Sequence, residues 1–347
     1  MTSRLYIVFL FCFFIYGRSD FSTPQEDDIK LFKHEISWGA LPLNDNIDIS
    51  SIYKPGDLLF DAVLAIQRNH WSKAIKELTP YAEKKDPDAL FWLAQISYGS
   101  NPTENIKAGK MMLESAQLGN PYAALMFNPD NIICKRYFSH YCDKKWVSKA
   151  KDIFSKQVEK SDVRAIYYSE KLKEDHDVYI NAIIDAAKQN YYYSIVDYSK
   201  SVLDDKYSTG SLKSIAFDLL TYAKNNNFVP AVDMLIYYSE RENKVDYRKI
   251  DYNSEYYKLI MIGKKLGSNY SWNMSELIYS TDSNNNLFDK HVMAKALLDF
   301  NGNDSGLSFL SPITNKDELE IINKKAQEMV DAVEDVIYID GAHPRQD

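Results

Sequence analysis

The side chains that could form a catalytic or metal centre are few and widely dispersed in this 347-residue sequence. The sequence contains no Gly-rich phosphate-binding loop and no nucleophile elbow. No two of its six histidines lie four residues apart, as a helical zinc-binding pair requires. The histidines are His34, His70, His140, His176, His291 and His343. We therefore predict a protein that is not an enzyme and that binds no metal and no cofactor.

One stretch shares part of the pattern of a calcium-binding loop. Asp282, Asn284 and Asn286 match the first three ligand positions of such a loop. However, Leu287 stands where the turn needs Gly, and Met293 stands where the ion needs a bidentate Glu. We therefore interpret residues 282–286 as an Asn-rich loop between helices and not as a calcium site.

The first 19 residues have the features of a secretory signal peptide. Arg4 gives a positive start, residues 5–16 are continuously apolar, and Gly17-Arg18-Ser19 offers small residues at a cleavage site. The apolar run is short for a membrane span, and an uncleaved anchor is the alternative. We therefore expect an exported protein, periplasmic or secreted, whose mature form begins near Asp20 and has no integral membrane segment.

Charge and cysteine content narrow the classes of partner. Loss of residues 1–19 removes two of the 41 basic residues and none of the 49 acidic ones, which leaves a formal charge of −10. Such a field repels nucleic acid, so no nucleic-acid partner is expected.

Two cysteines remain, Cys134 and Cys142, and an exported protein can hold them as one disulfide. We predict this bridge, which would pin an insertion at residues 128–146.

A repeated spacing of small residues organises the rest of the chain. The second half of residues 71–127 aligns with the first half at a shift of 34, so that Ala74 falls on Ala108 and Ala89 on Ala123. Such a period indicates a repeat array, and each copy holds two runs of helical periodicity. A distance of 15 residues then recurs in the pairs Ala74–Ala89, Ala108–Ala123, Ala150–Ala165, Tyr179–Ser194, Ala216–Ala231 and Tyr256–Ser271. We predict a helix-turn-helix of constant length at each repeat junction, where small residues allow close packing.

The sequence resembles the Sel-one-like repeat family, which is related to the tetratricopeptide repeat. The resemblance is carried by residues 69–94 and by the junction Ser115–Ala123, and Leu266–Ser271 echoes that junction. The middle repeats depart from the pattern, since Asn190 and Asn226 stand where the family favours Gly. The resemblance implies an all-α fold: a right-handed α-solenoid of helix-turn-helix repeats with a C-terminal capping helix. It also implies protein–protein adaptor function.

These patterns predict the boundaries along the chain. Residues 1–19 form the signal peptide, and residues 20–56 form a polar, extended N-terminal arm. Residues 57–310 form the repeat solenoid, interrupted by the insertion. Residues 311–340 form the capping helix that covers the open end of the array, and residues 341–347 form a polar tail.

The repeat register predicts which side chains line the concave face of the solenoid. Most of the 26 tyrosines are expected to pack in the core, because Tyr and Trp at helical spacing usually do. Side chains three and six positions after the small residue of each second helix are expected to project into the groove, where aromatic and Met residues suit a contact surface. The predicted partner-binding residues are Trp92, Gln95, Met126, Tyr168, Lys171, Asp197, Lys200 and Tyr237.

We therefore predict an exported protein–protein interaction scaffold that binds a partner protein in the concave groove. A narrower hypothesis is an immunity protein against a secreted toxin, because envelope proteins with similar repeats neutralise lipase effectors in some bacteria. One alternative is an envelope hydrolase with acids in the groove, which two buried acids facing each other in a cleft would favour. Another is a purely structural repeat module, which the lack of an exposed aromatic patch would favour.

Overall fold

The structure, a computed structural model, describes residues 21–36, 44, 46–99, 101–243 and 245–344, with backbone alone at 242 and 243. Over that part of the chain the regular secondary structure is entirely helical, which confirms the predicted all-α class. The predicted signal peptide lies outside the described residues. The helices are α1 Asp28–Glu35, α2 Phe60–Gln67, α3 Trp71–Glu83, α4 Pro87–Ser97, α5 Pro102–Leu118, α6 Pro121–Met126, α7 Ile132–Tyr137, α8 Lys145–Val158, α9 Val163–Lys171, α10 His176–Lys188, α11 Tyr193–Asp204, α12 Gly210–Asn225, α13 Val229–Asn243, α14 Glu255–Lys265, α15 Asn269–Thr281, α16 Leu287–Asn301, α17 Ser305–Ser308 and α18 Lys316–Asp331, with short 3-10 helices at Ser139–Tyr141 and Tyr247–Lys249.

Six repeat junctions share one backbone feature. In each, a residue with positive φ lies four positions before the second member of the 15-residue pair, which we call the small register residue. These residues are Lys85, Gly119, Ser161, Asn190, Asn227 and Gly267. A left-handed residue ends one helix and turns the chain into the next. The 15-residue spacing therefore reflects a recurring helix-turn-helix. Between α12 and α13 the left-handed residue is Asn227 and not Asn226, which has φ −98° and whose side-chain amide donates to the Tyr222 carbonyl.

Short polar side chains start the second helix of several junctions. Asp86 accepts hydrogen bonds from the backbone N–H groups of Asp88 and Ala89, at 3.0 and 2.8 Å. Asn120 accepts one from Ala123 N–H at 2.8 Å. Pro87 and Pro121 occupy the first turns that follow. These are the cap and proline positions that helix starts favour, and they fix where α4 and α6 begin.

The small register residues are the points of closest approach between helices. The Ala and Ser members of the six pairs are at most 1% exposed. Ser194 donates its hydroxyl to the Ile183 carbonyl of α10 at 3.0 Å, so its polar group is satisfied in the core. At Ser271 the space comes from Gly263 of α14, where any Cβ would overlap the serine side chain. With α7 set aside, each helix from α2 to α16 contacts the next one along the chain.

The N-terminal arm packs against the array and contains a helix, although the sequence predicted an extended arm. Helix α1 contacts α10 and α12 and buries Asp28 and Phe32, with Ile36 buried just beyond its end. Phe32 and Ile36 are four residues apart, which places them on one face. Further along, Tyr53 packs on Trp92 of α4. The arm therefore covers part of the array.

The insertion at residues 128–146 folds onto the array as a compact unit. It holds α7 and a 3-10 turn, and it places Cys134 and Cys142 at disulfide distance, with Cα atoms 6.0 Å apart. Cys134 and Phe138 are buried. Gly109 of α5 lies against Phe138 and Tyr141, where a larger residue would not fit.

The C-terminal region differs from its prediction. The last helix ends at Asp331 rather than near residue 340, and Glu334–Asp340 form no helix, turn or bend. The β-branched and aromatic residues of Val336–Ile339 favour extended backbone and are at most 4% exposed. The four described residues of the predicted polar tail, 341–344, continue this segment: Ala342 is exposed, the other three are half-buried, and Gly341 lies against Tyr122. We call residues 334–344 the C-terminal segment.

Candidate functional site

The first predicted contact residues, on α4, are buried. Trp92 is 1% exposed, and its indole N–H donates to the Tyr53 hydroxyl at 2.8 Å. Gln95 is fully buried, and neither polar atom of its side chain has a hydrogen-bond partner among the described residues. Residues 89–95 are all buried, because α4 packs between α3 and α5 and Tyr53 of the N-terminal arm covers Trp92. Assigning Trp92 and Gln95 to an open groove was therefore wrong.

Tyr168 of α9 is also a packing residue. It is 6% exposed and stacks on Phe154, with ring centroids 5.6 Å apart. Its hydroxyl lies 3.0 Å from that of Tyr191, which in turn donates to Asp340 of the C-terminal segment at 3.0 Å. Burial raises the pKa of Tyr168 well above its ordinary value, so the hydroxyl stays protonated. Tyr168 therefore packs among Tyr122, Phe154, Tyr167 and Tyr191.

Met126 and Lys171 are partly buried. Met126, at the end of α6, has its sulfur 3.9 Å from the Asn131 amide in the insertion. Lys171 keeps its ammonium 3.9 Å from Asp197 and within 6 Å of the Tyr167 and Tyr168 ring centroids. Neither residue lines the cavity described next, so the predicted surface is not continuous.

The other three predicted residues meet at an open cavity of about 840 Å³, the inner cavity. Asp197 and Lys200 come from α11, and Tyr237, which is 47% exposed, comes from α13. The remaining wall is aromatic and amide-rich, with α2, the start of α3, α13, α15 and the C-terminal segment contributing. It includes Gln67, Asn69, Trp71, Tyr193, Met234, Tyr238, Asn269, Tyr270, Asn273, Tyr338, His343 and Pro344. Register alone thus located three of the eight residues in one place.

The structure adds a second feature that sequence reasoning missed, a groove filled by the C-terminal segment. Gln67 of α2 binds the backbone of this segment twice: its amide donates to the Val336 carbonyl at 2.8 Å and accepts from Tyr338 N–H at 2.8 Å. Arg68 donates to the Glu334 carbonyl at 3.2 Å and pairs with Asp335 at 2.8 Å. Since Gln67 and Arg68 lie at the end of α2, the segment joins the early helices to the C-terminal region.

His343 fixes the far end of the segment between two carboxylates. Its Nδ1 lies 3.0 Å from Asp340, its Nε2 lies 3.2 Å from Asp197, and its ring stacks on Tyr193 with centroids 3.6 Å apart. Burial alone would lower the pKa of His343, but the two carboxylates raise it to about 10. For Asp340 burial acts in the opposite direction and would raise the pKa, but the charges of His343 and Arg164 hold it below its ordinary value. The site is therefore an imidazolium held between two carboxylates.

A similar lock holds the N-terminal arm. His176 of α10 has Nε2 2.8 Å from the Asp28 carboxylate and Nδ1 2.8 Å from the Phe21 carbonyl. Tyr198 of α11 donates to the same carboxylate at 2.9 Å. Burial would lower the pKa of His176, but its hydrogen bonds to the Phe21 carbonyl and the Asp28 carboxylate raise it. A His–Asp contact thus secures each terminal region.

The calcium-like stretch is an ordinary inter-helix loop, as predicted. Asp282 accepts from the Tyr252 hydroxyl at 2.5 Å and from Asn284 N–H at 2.9 Å. Asn286 caps α16. Among the described residues, no group of three or more His, Cys, Asp or Glu side chains is arranged to hold a metal ion.

Comparisons with known proteins add no assignment. No protein-family model matches the chain, and no curated protein matches it either. Within the described part of the chain, none of the helices combines the length and the apolar character needed to cross a membrane.

Proposed function

We propose that this chain is a right-handed α-solenoid of Sel-one-like repeats that binds a partner protein at the inner cavity. The six equivalent junctions and the packing of each helix on the next support the repeat architecture, in which contacts run mainly between neighbours. The proposal keeps the predicted groove but moves its contact surface away from Trp92 and Tyr168, onto α11, α13 and α15.

The observation that carries the proposal is the make-up of the inner cavity. Second helices of three successive repeats supply Lys200, Tyr237 and Asn273 to one open site. Tyr237 presents an exposed ring whose position is fixed by an edge contact with Tyr238, with centroids 5.1 Å apart. Tyr and Asn side chains together are typical of surfaces that recognise proteins, because Tyr gives large contact area at low entropy cost. Tyr237 is therefore the leading hot-spot candidate.

We also infer export, with the partner in the same compartment. The cysteine pair supports this, since disulfides persist in oxidising compartments. An immunity protein against a secreted toxin is a narrower form of the proposal. The acidic net charge would steer a basic toxin surface toward the chain.

The arrangement of acids does not favour the hydrolase alternative. Asp197 and Asp340 do face the same side chain, as a pair of acids in a cleft would. However, the His343 ring lies between the two carboxylates and pairs with both, so they do not face each other across an open cleft. The cluster is better explained as an ion-pair lock that holds the C-terminal segment.

The test is a quantitative pull-down from the envelope fraction of the native host. The baits are the wild-type chain, Tyr237→Ala and a matched control, Tyr207→Ala, whose ring is 80% exposed and lies outside the inner cavity. We expect Tyr237→Ala to lower the affinity for the captured partner by roughly ten-fold or more, and Tyr207→Ala to bind like wild type. Equal binding by all three proteins would place the contact surface elsewhere.

A further inference from the structure

The C-terminal segment is enclosed as a bound peptide would be. Residues 334–340 form no helix, turn or bend, so no regular element of their own accounts for their burial. Yet Val336, Ile337, Tyr338 and Ile339 are all at most 4% exposed. A segment whose successive residues are all buried lies inside a groove and not on a flat face. We call the surface around it the inner groove, with Gln67, Arg68, Tyr122, Arg164 and Tyr191 as its principal contacts.

Recognition of the backbone comes from side chains of the array. Gln67 contacts three backbone groups, since its Oε1 also accepts from Ile339 N–H at 3.3 Å. Arg68 adds the Glu334 carbonyl, and Tyr338 donates its hydroxyl to the Gly267 carbonyl at 3.4 Å. The contacts of Gln67 require only the backbone path that the segment follows here. They do not depend on the identity of the bound side chains.

Recognition of side chains is concentrated at three of the four positions 340–343. The Asp340 carboxylate accepts from Tyr191 and lies 3.9 Å from the Arg164 guanidinium. Gly341 follows, and a Cβ there would overlap the Tyr122 ring. His343 then provides the cation that pairs with Asp197. The inner groove therefore selects an acidic residue, a residue without a side chain and a cation, in that order.

We propose that the inner groove is a binding site for an extended segment of a partner protein and that the C-terminal segment is its internal competitor. The matching partner segment has four apolar residues, then Asp, Gly, any residue and His. The chain's own segment, seated in the inner groove, defines this pattern. The C-terminal segment also forms part of the wall of the inner cavity, but peptide binding reports on the inner groove and the pull-down reports on Tyr237, so either proposal can fail without the other.

A tethered competitor should hide the site from a free peptide. The effective concentration of a segment joined by a short linker is on the order of millimolar, so a free peptide competes poorly in the wild-type chain. Apparent affinity falls in proportion to the fraction of molecules whose site is open. Weakening the internal segment alone should therefore reveal the peptide site.

The experiment uses a fluorescent synthetic peptide of residues 334–347 and full-length proteins. Gly341→Val should displace the internal segment by its clash with Tyr122, while the surfaces that bind the peptide stay intact. Gly210→Val is the matched control, because a Cβ at Gly210 meets nothing within 4 Å. By fluorescence anisotropy, we expect the peptide to bind Gly341→Val roughly ten-fold or more tighter than wild type or Gly210→Val. A second peptide carrying the same Gly→Val change should not bind.

Failure of the peptide to bind a Gly341→Val protein with native circular dichroism would overturn the proposal. If that variant does not fold, hydrogen exchange in the wild-type chain decides. The amides of Tyr338 and Ile339, bonded to Gln67, should then exchange through an opening smaller than global unfolding. The buried Val196 amide of α11 is the reference. If the Tyr338 and Ile339 amides exchange only when Val196 does, the segment is an inseparable part of the core and the proposal is refuted.

Discussion

Two parts of the inner face share one repeat register but present different surfaces. Trp92 of α4 and Asp197 of α11 each lie three positions after the small register residue of a second helix. Trp92 is 1% exposed beneath Tyr53 of the N-terminal arm. The Asp197 side chain is 29% exposed and lines the inner cavity. Because the junctions before α4 and α11 share the same left-handed turn, the backbone does not account for the difference.

The difference comes from the two non-repeated regions that cover the array. The N-terminal arm covers α4 through Tyr53, and the C-terminal segment lies against α9, where Asp340 is 3.9 Å from the Arg164 guanidinium. Between α11 and α15 neither region closes the face, and the inner cavity remains. Repeat register therefore determines which residues are equivalent, while non-repeated segments determine which of them a partner can reach.

The closed part should respond to truncation as a core does. Trp92→Ala removes a buried indole and the hydrogen bond to Tyr53, so we expect a loss of about 3–5 kcal/mol in the free energy of unfolding. Chemical denaturation followed by circular dichroism measures it. A loss below about 1 kcal/mol would show that the arm does not hold Trp92 in a packed core.

The two parts should also differ in the energetic weight of a carboxylate. Asp340→Ala leaves the Tyr191 hydroxyl and the His343 ring without their buried acceptor, and we expect it to cost about 2–4 kcal/mol. Glu255→Ala, on the exposed face of α14, breaks a contact to Lys258 that solvent already screens, and it should cost far less than Asp340→Ala. Equal losses in parallel urea titrations would contradict the distinction between closed and open regions.

The sequence was sufficient to predict the repeated helices but not the structure of the N-terminal arm and the C-terminal segment that pack on them. Recurring small residues predicted the helix junctions, because close helix packing requires small side chains at a constant spacing. The prediction failed at residues 311–340, where the periodic pattern of α18 was extended through Val336–Ile339. Those residues have β-branched and aromatic side chains that suit an extended strand, but no strand partner is visible in the sequence. Their partner is Gln67, 269 residues away, and no local pattern links the two.

The lock at His343 should give the closed region a pH dependence. The pKa of His343 rises from 6.5 to about 10, so its stabilising contribution is complete below pH 6.5 and is lost as the pH rises toward 10. The pKa values of Asp197 and Asp340 are lowered by His343, with help from Lys171 and Arg164, so their contribution is lost only at acidic pH, below 3.8. All three groups therefore contribute between about pH 4 and pH 6.5.

His343→Gln isolates that contribution, because His176 and its own partner Asp28 remain in both proteins. The stability advantage of wild type over His343→Gln should shrink by about 1–2 kcal/mol between pH 6 and pH 9, since partial exposure screens the ion pairs. Urea titrations at both pH values measure it. An advantage that stays constant, or that grows with pH, would mean that His343 does not carry a proton shared with the two carboxylates.

The smallest stability effect is expected in the open part. Tyr237 is 47% exposed, and its main described ring contact is the edge contact with Tyr238, so Tyr237→Ala should change the free energy of unfolding by no more than about 0.5 kcal/mol. Truncation there removes contact area without leaving a cavity, unlike truncation at Trp92. Thermal melting of wild type, Tyr237→Ala and Trp92→Ala side by side measures the contrast directly. A fall in melting temperature for Tyr237→Ala as large as for Trp92→Ala would mean that the ring supports the fold. In that case a loss of partner binding by the same variant would no longer identify a contact residue. An unchanged melting temperature leaves Tyr237 as a side chain whose position is fixed by the fold and whose area is available to a partner.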